Sequence, residues 1–239
     1  MSRSRLSLLQ LSHLAWRLCV FPSAASRVPA ETCAYSSDVK VRSYFQYMKR
    51  KLISPPSPPY HHVCRVGDPV LRSRAAAVDP AAIRGPDVQE VINTLVKVLR
   101  KFECVGLSAP QIGIPLRILA LEYPQKMLLE SLPASRKVRD ISVQPLRIFI
   151  NPELRVLDRN TVIFQEACES ISGFSGAVPR YLSVEVSGLN ENGEAVTWQA
   201  TGWPARILQH EMDHLDGVLY IDRMDSKTFI NVNWQENNE

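Results

Sequence analysis

Two histidines near the end of the chain have a spacing that suits metal binding. His210 and His214 lie four residues apart, and a helix would place both imidazoles on one face, with Cβ atoms about 5–6 Å apart. One divalent metal ion could then accept a nitrogen from each ring. Glu211 would project close enough to touch a water on that metal without ligating the metal itself. The pattern therefore predicts metal-assisted hydrolysis; the alternative is a charged helical face with two incidental histidines.

A catalytic metal needs a third protein ligand, and the sequence offers three candidates. Tyr220 stands where one class of metalloproteases has a third histidine, so that motif lacks its ligand. Glu236 lies in a polar tail that offers little rigidity. Cys168 follows a predicted strand, and metal coordination would stabilise its thiolate. A lone cysteine is more often a buried structural thiol, but a metal helix short of one ligand favours the set Cys168, His210 and His214.

A third stretch, residues 106 to 113, combines small residues with a single amide side chain, that of Gln111. A glutamine amide can donate two hydrogen bonds. The alternative is an ordinary loop bounded by glycines. The stretch follows a predicted helix directly, so its position in the fold depends on that helix.

The periodicity of apolar residues predicts the helices that must position these groups. Apolar positions recur at intervals of three and four over residues 86 to 100, which predicts an amphipathic helix on the N-terminal side of the domain. A second helix, which carries the histidines, is predicted at about residues 203 to 215. Pro204 suits its first turn and Gly217 suits its end.

Short segments rich in β-forming residues lie between the two predicted helices. Asn192-Gly193 indicates a tight hairpin, and residues 123 to 145 are polar, basic and interrupted by proline, which predicts a surface excursion. The order of elements predicts an α+β domain with small mixed or antiparallel sheets packed around a C-terminal metal-binding helix. The predicted strands cover residues 116 to 121, 147 to 150, 161 to 167, 183 to 186 and 195 to 200.

The beginning of the chain differs in composition from the rest. Residues 1 to 36 contain four arginines among many serines and leucines, with no acid before Glu31, which is typical of a mitochondrial transit peptide. A disordered basic tail is the alternative. Residues 37 to 60 are predicted to form a basic lead-in that ends in an extended proline-rich spacer. The catalytic domain is then predicted to cover residues 61 to 239.

Charge, hydropathy and cysteine content exclude several classes of function. Removing residues 1 to 36 takes away four arginines and one glutamate, which lowers the formal net charge from +4 to +1. A nucleic-acid partner would need a basic surface, so no direct nucleic-acid binding is expected. The chain has no run of about 18 apolar residues, so no membrane span is expected. Cys64, Cys104 and Cys168 form a sparse, odd set outside the presequence, which predicts thiols rather than disulfides.

Three motifs, taken together and in order, resemble those of the peptide deformylase family. Residues 106 to 113 (GLSAPQIG) look like its glutamine motif, residues 166 to 170 (EACES) like its cysteine motif, and residues 209 to 214 (QHEMDH) like its metal helix. The resemblance covers about residues 64 to 230. With the predicted transit peptide, it indicates a mitochondrial form of the family.

The chain departs from the pattern of that family at four positions. Cys104 and Ala167 stand where glycine is usual, and Ser108 replaces a usual alanine. Glu169 stands where bacterial members usually have leucine. Because that position lies beside the substrate, an acid there bears on substrate preference and rate but not on the metal site.

The resemblance implies a hydrolase that removes the formyl group from N-formylmethionine at the start of newly made polypeptides in the mitochondrial matrix. It implies one divalent ion, Fe2+, Zn2+ or Co2+, on Cys168, His210 and His214. Glu211 would be the acid–base catalyst, and Gln111 would donate to the developing oxyanion. The partners would be N-formylmethionyl peptides and nascent chains, and the family resemblance allows a homodimer. The residues expected to contact substrate are Val105, Gly106, Leu107, Gln165, Glu166, Ala167 and Glu169.

Two rival functions fit parts of the same pattern. A zinc metallopeptidase would cleave internal peptide bonds and accept an unformylated N-terminus. A metal-stabilised binding module would hold formylated nascent chains without hydrolysing them. Glu211 argues against the second, because a purely structural metal gains nothing from an unligated carboxylate beside it.

Overall fold

The computed structural model describes residues 56 to 238, with side chains described to residue 236. The predicted transit peptide, residues 1 to 36, and the basic part of the lead-in, residues 39 to 53, lie outside the described residues. The domain boundary after residue 60 therefore stays a prediction. None of the helices within the described range is long and apolar enough to cross a membrane.

Four helices and six strands make up the regular structure of the described residues, apart from short 3-10 turns. The helices are α1 (Pro86–Lys101), α2 (Gln125–Glu130), α3 (Pro133–Arg139) and α4 (Gly202–Leu215). The strands are β1 (Gly106–Ser108), β2 (Ile118–Tyr123), β3 (Gln144–Ala167), β4 (Phe174–Leu189), β5 (Ala195–Thr201) and β6 (Ile230–Asn231). Both predicted helices are confirmed within about two residues, and the domain has the predicted α+β class.

The strands form one antiparallel sheet in the order β1-β2-β3-β4-β5, with β6 paired to β4. The strands predicted over residues 147 to 150 and 161 to 167 are parts of the single long strand β3. The register of β3 shifts against β4 between Ile150 and Glu153 and again between Val156 and Thr161. Asn151 has a positive φ at the first of these shifts. A β-bulge bends a strand without ending it, which is why the polar residues at these points suggested two strands.

Helix α1 forms because its apolar residues face one side and its ends are well defined. Pro86 occupies the first turn, where a missing N–H is harmless. Leu95, Val98 and Leu99 are fully buried against β1, β2 and the turn at residues 109 to 112. Each such side chain contributes about 1.5–3 kcal/mol when it leaves water. This packing holds β1 and the following turn in place beside the metal helix.

Helix α4 is buried on most of its surface, including many polar residues. Ala205, Leu208 and Leu215 pack against β2, β4 and β5 in a second apolar cluster. Gly217 adopts a positive φ just after the helix, as expected of a C-terminal glycine. The helix therefore crosses the sheet as a central element, and its polar side chains need partners inside the protein.

The surface excursion predicted for residues 123 to 145 contains two short helices, α2 and α3. Leu129, Leu132 and Val138 are exposed on them, so the segment does lie at the surface. The predicted hairpin at Asn192-Gly193 is confirmed, with Gly193 at a φ of +76° in the turn between β4 and β5. Cys64, Cys104 and Cys168 are free thiols, as predicted.

Candidate metal centre and active site

The end of β3 and the face of α4 bring one thiol and two imidazoles together. The ligand atoms of Cys168, His210 and His214 all lie within 4.8 Å of one another. The Cys168 Sγ is 3.3 Å from the His214 Nε2, and the two imidazole rings are 4.9 Å apart and nearly perpendicular. One thiolate and two imidazole nitrogens at this separation suit a single tetrahedral divalent metal ion.

The electrostatics of the cluster favour the thiolate form of Cys168. Burial alone would raise the pKa of the Cys168 thiol, but the charges and hydrogen bonds of His214 and His210 hold that pKa well below its usual range. A thiolate is the form of cysteine that ligates metals. The donor set therefore fits a divalent metal by distance and by charge.

A buried carboxylate fixes the orientation of His210. The His210 Nδ1 lies 3.0 Å from the Glu166 Oε2, which leaves the Nε2 of that ring for the metal. Burial alone would raise the pKa of Glu166, but hydrogen bonds from His210 and Arg180 hold that pKa below its usual range. Glu166 therefore remains charged and orients His210, in addition to lining the cavity.

A chain of buried ion pairs extends from Glu166 to the far side of α4. Arg180 donates two hydrogen bonds of 2.9 Å to the Glu166 carboxylate and one of 2.6 Å to Asp213. Arg206 donates to Glu166 at 2.7 Å, and Arg223 donates to both oxygens of Asp213 at 2.7 Å. The sequence analysis selected Glu166 but missed Arg180, Arg206, Asp213 and Arg223. The signal in the sequence was the presence of two charged residues, Arg206 and Asp213, on one helix. Charged side chains on a buried helix face need ion-pair partners inside the protein.

Glu211 lies beside the metal ligands and is almost fully buried. Burial raises the pKa of its carboxyl to about 7, although the nearby histidines lower it. Its Oε2 has no hydrogen-bond partner. A carboxyl with this pKa can both accept and release a proton near neutral pH.

Gln111 is held in a fixed orientation at the start of a 3-10 turn. The backbone N–H of Ser108 donates to the Gln111 Oε1 at 2.9 Å, and the Ser108 hydroxyl donates to the same oxygen at 3.1 Å. The amide nitrogen therefore faces the other way, 3.5 Å from the Cys168 Sγ and 3.2 Å from the Ser170 Oγ. A donor preset beside the metal cluster suits stabilisation of an oxyanion.

A cavity of about 510 Å³ opens above the cluster. Its walls include Gln111, Cys168, His210 and Glu211, while His214 lies buried behind them. It also contains every residue predicted to contact substrate, namely Val105, Gly106, Leu107, Gln165, Glu166, Ala167 and Glu169. The wall further includes aromatic and charged residues that the sequence analysis did not select, among them Phe102, Arg139, Trp203 and Arg206.

Two strand edges face this cavity. Within the described residues, β1 pairs only with β2, and the last residues of β3, 161 to 167, pair only with β4. Each strand therefore has one edge with backbone groups that are free to pair. An extended peptide could add a strand between these edges.

Two of the departures from the family pattern change the chemistry of the cavity wall. Glu169 lies 3.6 Å from Arg65, which also donates to the backbone carbonyl of Glu169. This exposed pair partly neutralises the acid. Burial raises the pKa of the Cys104 thiol to about 12, so Cys104 remains a neutral thiol in the wall.

Comparison with known proteins agrees with this geometry. A family model described as polypeptide deformylase matches residues 60 to 229. The chain is 54% identical over 198 residues to the mitochondrial peptide deformylase of Homo sapiens, an alignment that covers 83% of this chain and 82% of the human protein.

Solved structures of the same family have a similar fold. One is the peptide deformylase of Synechococcus elongatus in complex with actinonin, at 31% identity and a TM-score of 0.57, covering 72% of this chain and 82% of that one. Another is the class I type b peptide deformylase of Acinetobacter baumannii bound to Met-Ala-Ser, at 27% identity and a TM-score of 0.59, covering 67% of this chain and 97% of that one.

Proposed function

Because the chain belongs to the peptide deformylase family, we propose that Cys168, His210 and His214 hold its metal ion and that Glu211 and Gln111 carry out the chemistry. The family is metal-dependent and removes the formyl group from newly made peptides, and this chain is a hydrolase of that kind. The convergence of one thiol and two imidazoles within 4.8 Å supports this assignment most directly.

We propose Fe2+, Zn2+ or Co2+ as the metal, because a set of one thiolate and two imidazoles accepts each of them. When bound, the ion lowers the pKa of a coordinated water, so that a nucleophile is available near neutral pH. Glu211 would accept a proton from the attacking water and later pass it to the departing amine. Its raised pKa supports both transfers.

Negative charge then develops on the formyl oxygen and requires hydrogen-bond donors. The Gln111 amide and the backbone N–H of Glu169 are the donors we assign to it. The Gln111 amide is preset, because Ser108 holds its oxygen. Loss of one such donor commonly costs about 3–4 kcal/mol in the barrier.

The substrate peptide is proposed to bind as an added strand between the two open edges. Val105 and Gly106 offer one edge, and Gln165 to Ala167 offer the other. Val105, Leu107 and neighbouring apolar groups are proposed to line the pocket for the methionine side chain. The Met-Ala-Ser peptide bound to the Acinetobacter baumannii relative begins with methionine, as a deformylated product would. Backbone pairing would tolerate many sequences after the methionine.

A direct test measures formate release from a formylmethionyl tripeptide, alongside the acetylated and the free tripeptide. We expect formate from the first only, with about one equivalent of metal in protein purified without oxygen. A metallopeptidase would instead cleave internal bonds of all three peptides. A non-catalytic module would bind the formylated peptide and release nothing, which would contradict the roles assigned to Glu211 and Gln111.

The proposal also covers the cellular location and the oligomeric state of the protein. Similarity to the human mitochondrial enzyme indicates a mitochondrial location, and we propose the matrix, with residues 1 to 36 as transit peptide, residues 37 to 60 as lead-in and residues 61 to 239 as catalytic domain. Import of the full chain into isolated mitochondria, followed by N-terminal sequencing, tests this division. Light scattering tests whether the chain forms a homodimer.

A further inference from the structure

The segment that contains α3 is fixed against the first residues of the metal helix. Asp140 follows α3 with a positive φ, and its carboxylate accepts a hydrogen bond of 3.4 Å from the Thr201 hydroxyl. Gly202 lies so close that a Cβ added to it would come within 2.5 Å of the Asp140 side chain. This close approach brings the end of α3 to the wall of the substrate cavity.

Arg139, the last residue of α3, stacks on two aromatic rings, of which Trp203 lines the cavity and Phe164 does not. Its guanidinium lies 4.9 Å from the Trp203 ring and 5.6 Å from the Phe164 ring. The two rings contact each other edge to face at 6.4 Å, and the Arg206 guanidinium also lies over Phe164, at 5.3 Å. Stacking fixes the plane of the Arg139 guanidinium but leaves its N–H groups free at the edge.

Among the cationic side chains of the cavity wall, Arg139 has no acidic partner within residues 56 to 236. Glu166 is paired with Arg206 and with Arg180. The acids nearer the rim are paired as well, Glu169 with Arg65 and Glu103 with Lys126. The Arg139 side chain makes no hydrogen bond or ion pair with any described residue. A half-buried guanidinium with free donors is suited to bind a carboxylate in two-point geometry.

The proposed binding mode places one substrate side chain next to Arg139. Phe164 and Glu166 alternate with the exposed Gln165, so they face the same side of β3. With the formyl group at Cys168, an added strand runs back along β3 from Ala167 toward Phe164. In this proposed mode the methionine pairs with Glu166 and the third residue with Phe164. Because side chains alternate along a strand, both would then face the side on which Arg139 stacks.

On this basis we propose that Arg139 is a specificity-determining residue that binds a carboxylate on the third residue of the formylated peptide. This inference rests on the proposed function. It predicts preference for substrates with glutamate at that position over substrates with lysine, because the cavity offers an unpaired positive charge there. The second residue faces the opposite side and should show little charge preference.

The test compares kcat/KM for formyl-Met-Ala-Glu-Ala and formyl-Met-Ala-Lys-Ala in the metal-loaded enzyme. The native protein should favour the glutamate peptide by at least about fivefold, roughly the effect of 1 kcal/mol. Arg139→Glu should reverse the preference, and Arg139→Met, which keeps the apolar cover on Trp203, should bring the ratio close to one. Lys137→Glu makes the same charge change at an exposed residue of α3 outside the cavity wall, and it should keep the native ratio.

Equal ratios in the native protein and in both Arg139 variants would overturn the inference, as would a charge preference confined to the second residue. The neutral peptide formyl-Met-Ala-Ala-Ala separates this failure from failure of the proposed function. If the native enzyme releases formate from the neutral peptide, the proposed function holds. The kcat/KM ratios of the glutamate and lysine peptides then decide whether Arg139 binds the carboxylate. If it releases none, both proposals fail.

Discussion

Glu211 combines two properties that seldom occur in one side chain. It is a carboxyl with almost no contact with solvent, and one of its oxygens lacks any hydrogen-bond partner. Burial of an unpaired carboxylate is costly, and the protein responds by raising the pKa of the group to about 7. The burial that lowers the stability of the protein therefore also gives Glu211 a pKa that suits proton transfer near neutral pH.

Replacing Glu211 with glutamine should leave the metal bound and remove the proton acceptor. We expect kcat/KM for formyl-peptide hydrolysis to fall at least about a hundredfold. Metal content by atomic absorption and formate release together measure the effect. Glu90→Gln, at an exposed position on α1, is the matched control and should retain native turnover. A metal-loaded Glu211→Gln protein with near-native turnover would remove Glu211 from the mechanism.

Cys168 is the proposed sulfur ligand, and its loss should act on metal content first. Cys168→Ala removes the negatively charged ligand from the cluster, so we expect metal binding to fall by well over tenfold and activity to fall with it. Cys104→Ala is the control, because Cys104 lies in the same cavity as a neutral thiol. Full metal occupancy in the Cys168→Ala protein would show that another residue supplies the third ligand.

At the scale of elements, β1 and α4 approach so closely that one residue must lack a side chain. A Cβ on Gly106 would lie 2.6 Å from the Glu211 Oε1 and 2.7 Å from the Ile207 Cγ2. Both atoms belong to ends of side chains on α4. The absence of a side chain at Gly106 is thus a requirement of the acid–base residue rather than of the backbone.

Gly106→Ala should therefore leave the fold intact but displace the Glu211 carboxylate. Misplacement of a reacting group by about 1 Å can cost on the order of a hundredfold in rate, so a loss of at least about tenfold in kcat is expected with the metal retained. Circular dichroism, metal analysis and single-turnover formate release separate these effects. Native kcat in this variant would mean that Glu211 has more room than the structure indicates.

The ion pairs between β3, β4 and α4 should make stability depend on pH in a defined direction. The pKa of Glu166 is lowered in the folded protein. The contribution of Glu166 to the free energy of unfolding is therefore complete above the ordinary carboxyl pKa of about 4.3. It is lost as pH falls below that value toward the lowered pKa. Between pH 8 and pH 5 the contribution should stay constant.

Glu166→Gln leaves two buried guanidiniums without their shared acid and should lower the free energy of unfolding by about 3–5 kcal/mol at pH 7. The difference from the native protein should shrink as pH falls from 4 to 2, because the native residue then becomes neutral as well. Urea unfolding at several pH values measures both effects. Glu130→Gln, at an exposed position, should change stability by less than about 1 kcal/mol. A constant difference at all pH values would contradict the lowered pKa.

At the scale of the whole molecule, the metal ion would link two parts of the chain that are far apart in sequence. Cys168 lies at the end of β3, and the histidines lie on α4. A ligand that binds only the folded protein stabilises it by about 4 kcal/mol at a thousand times its Kd. Removal of the metal by a chelator should therefore lower Tm by roughly 10 °C for a domain of this size.

That shift should be reversed by adding back Zn2+ or Co2+, and it should be absent in the Cys168→Ala protein. Differential scanning calorimetry before and after chelation measures it. An equal chelator effect on the native protein and on the variant would place the stabilising metal elsewhere in the molecule.

Sequence alone determined the local features of this protein. His210 and His214 face one metal ion only if a helix holds them, so their spacing predicts α4. The apolar residues of α1 recur at the helical period, which predicts a helix with one buried face. Asn192-Gly193 required a hairpin, because few residue pairs adopt its backbone angles. These features depend on neighbours within a few residues, so they can be predicted from short stretches. The bulges that keep β3 continuous depend on pairing with β4, and for that reason the sequence suggested two strands.

Tertiary structure alone decided which further groups surround the predicted cluster of Cys168, His210 and His214. It placed Glu166 against His210, joined it to Arg180 and Arg206, and turned Glu169 toward Arg65. It also placed Arg139, which belongs to a surface segment, in the cavity wall. Such contacts join residues separated by tens of positions, and their distances are set by the packing of the sheet against α4. A pattern within a single chain cannot specify these distances, because they arise only when the core forms.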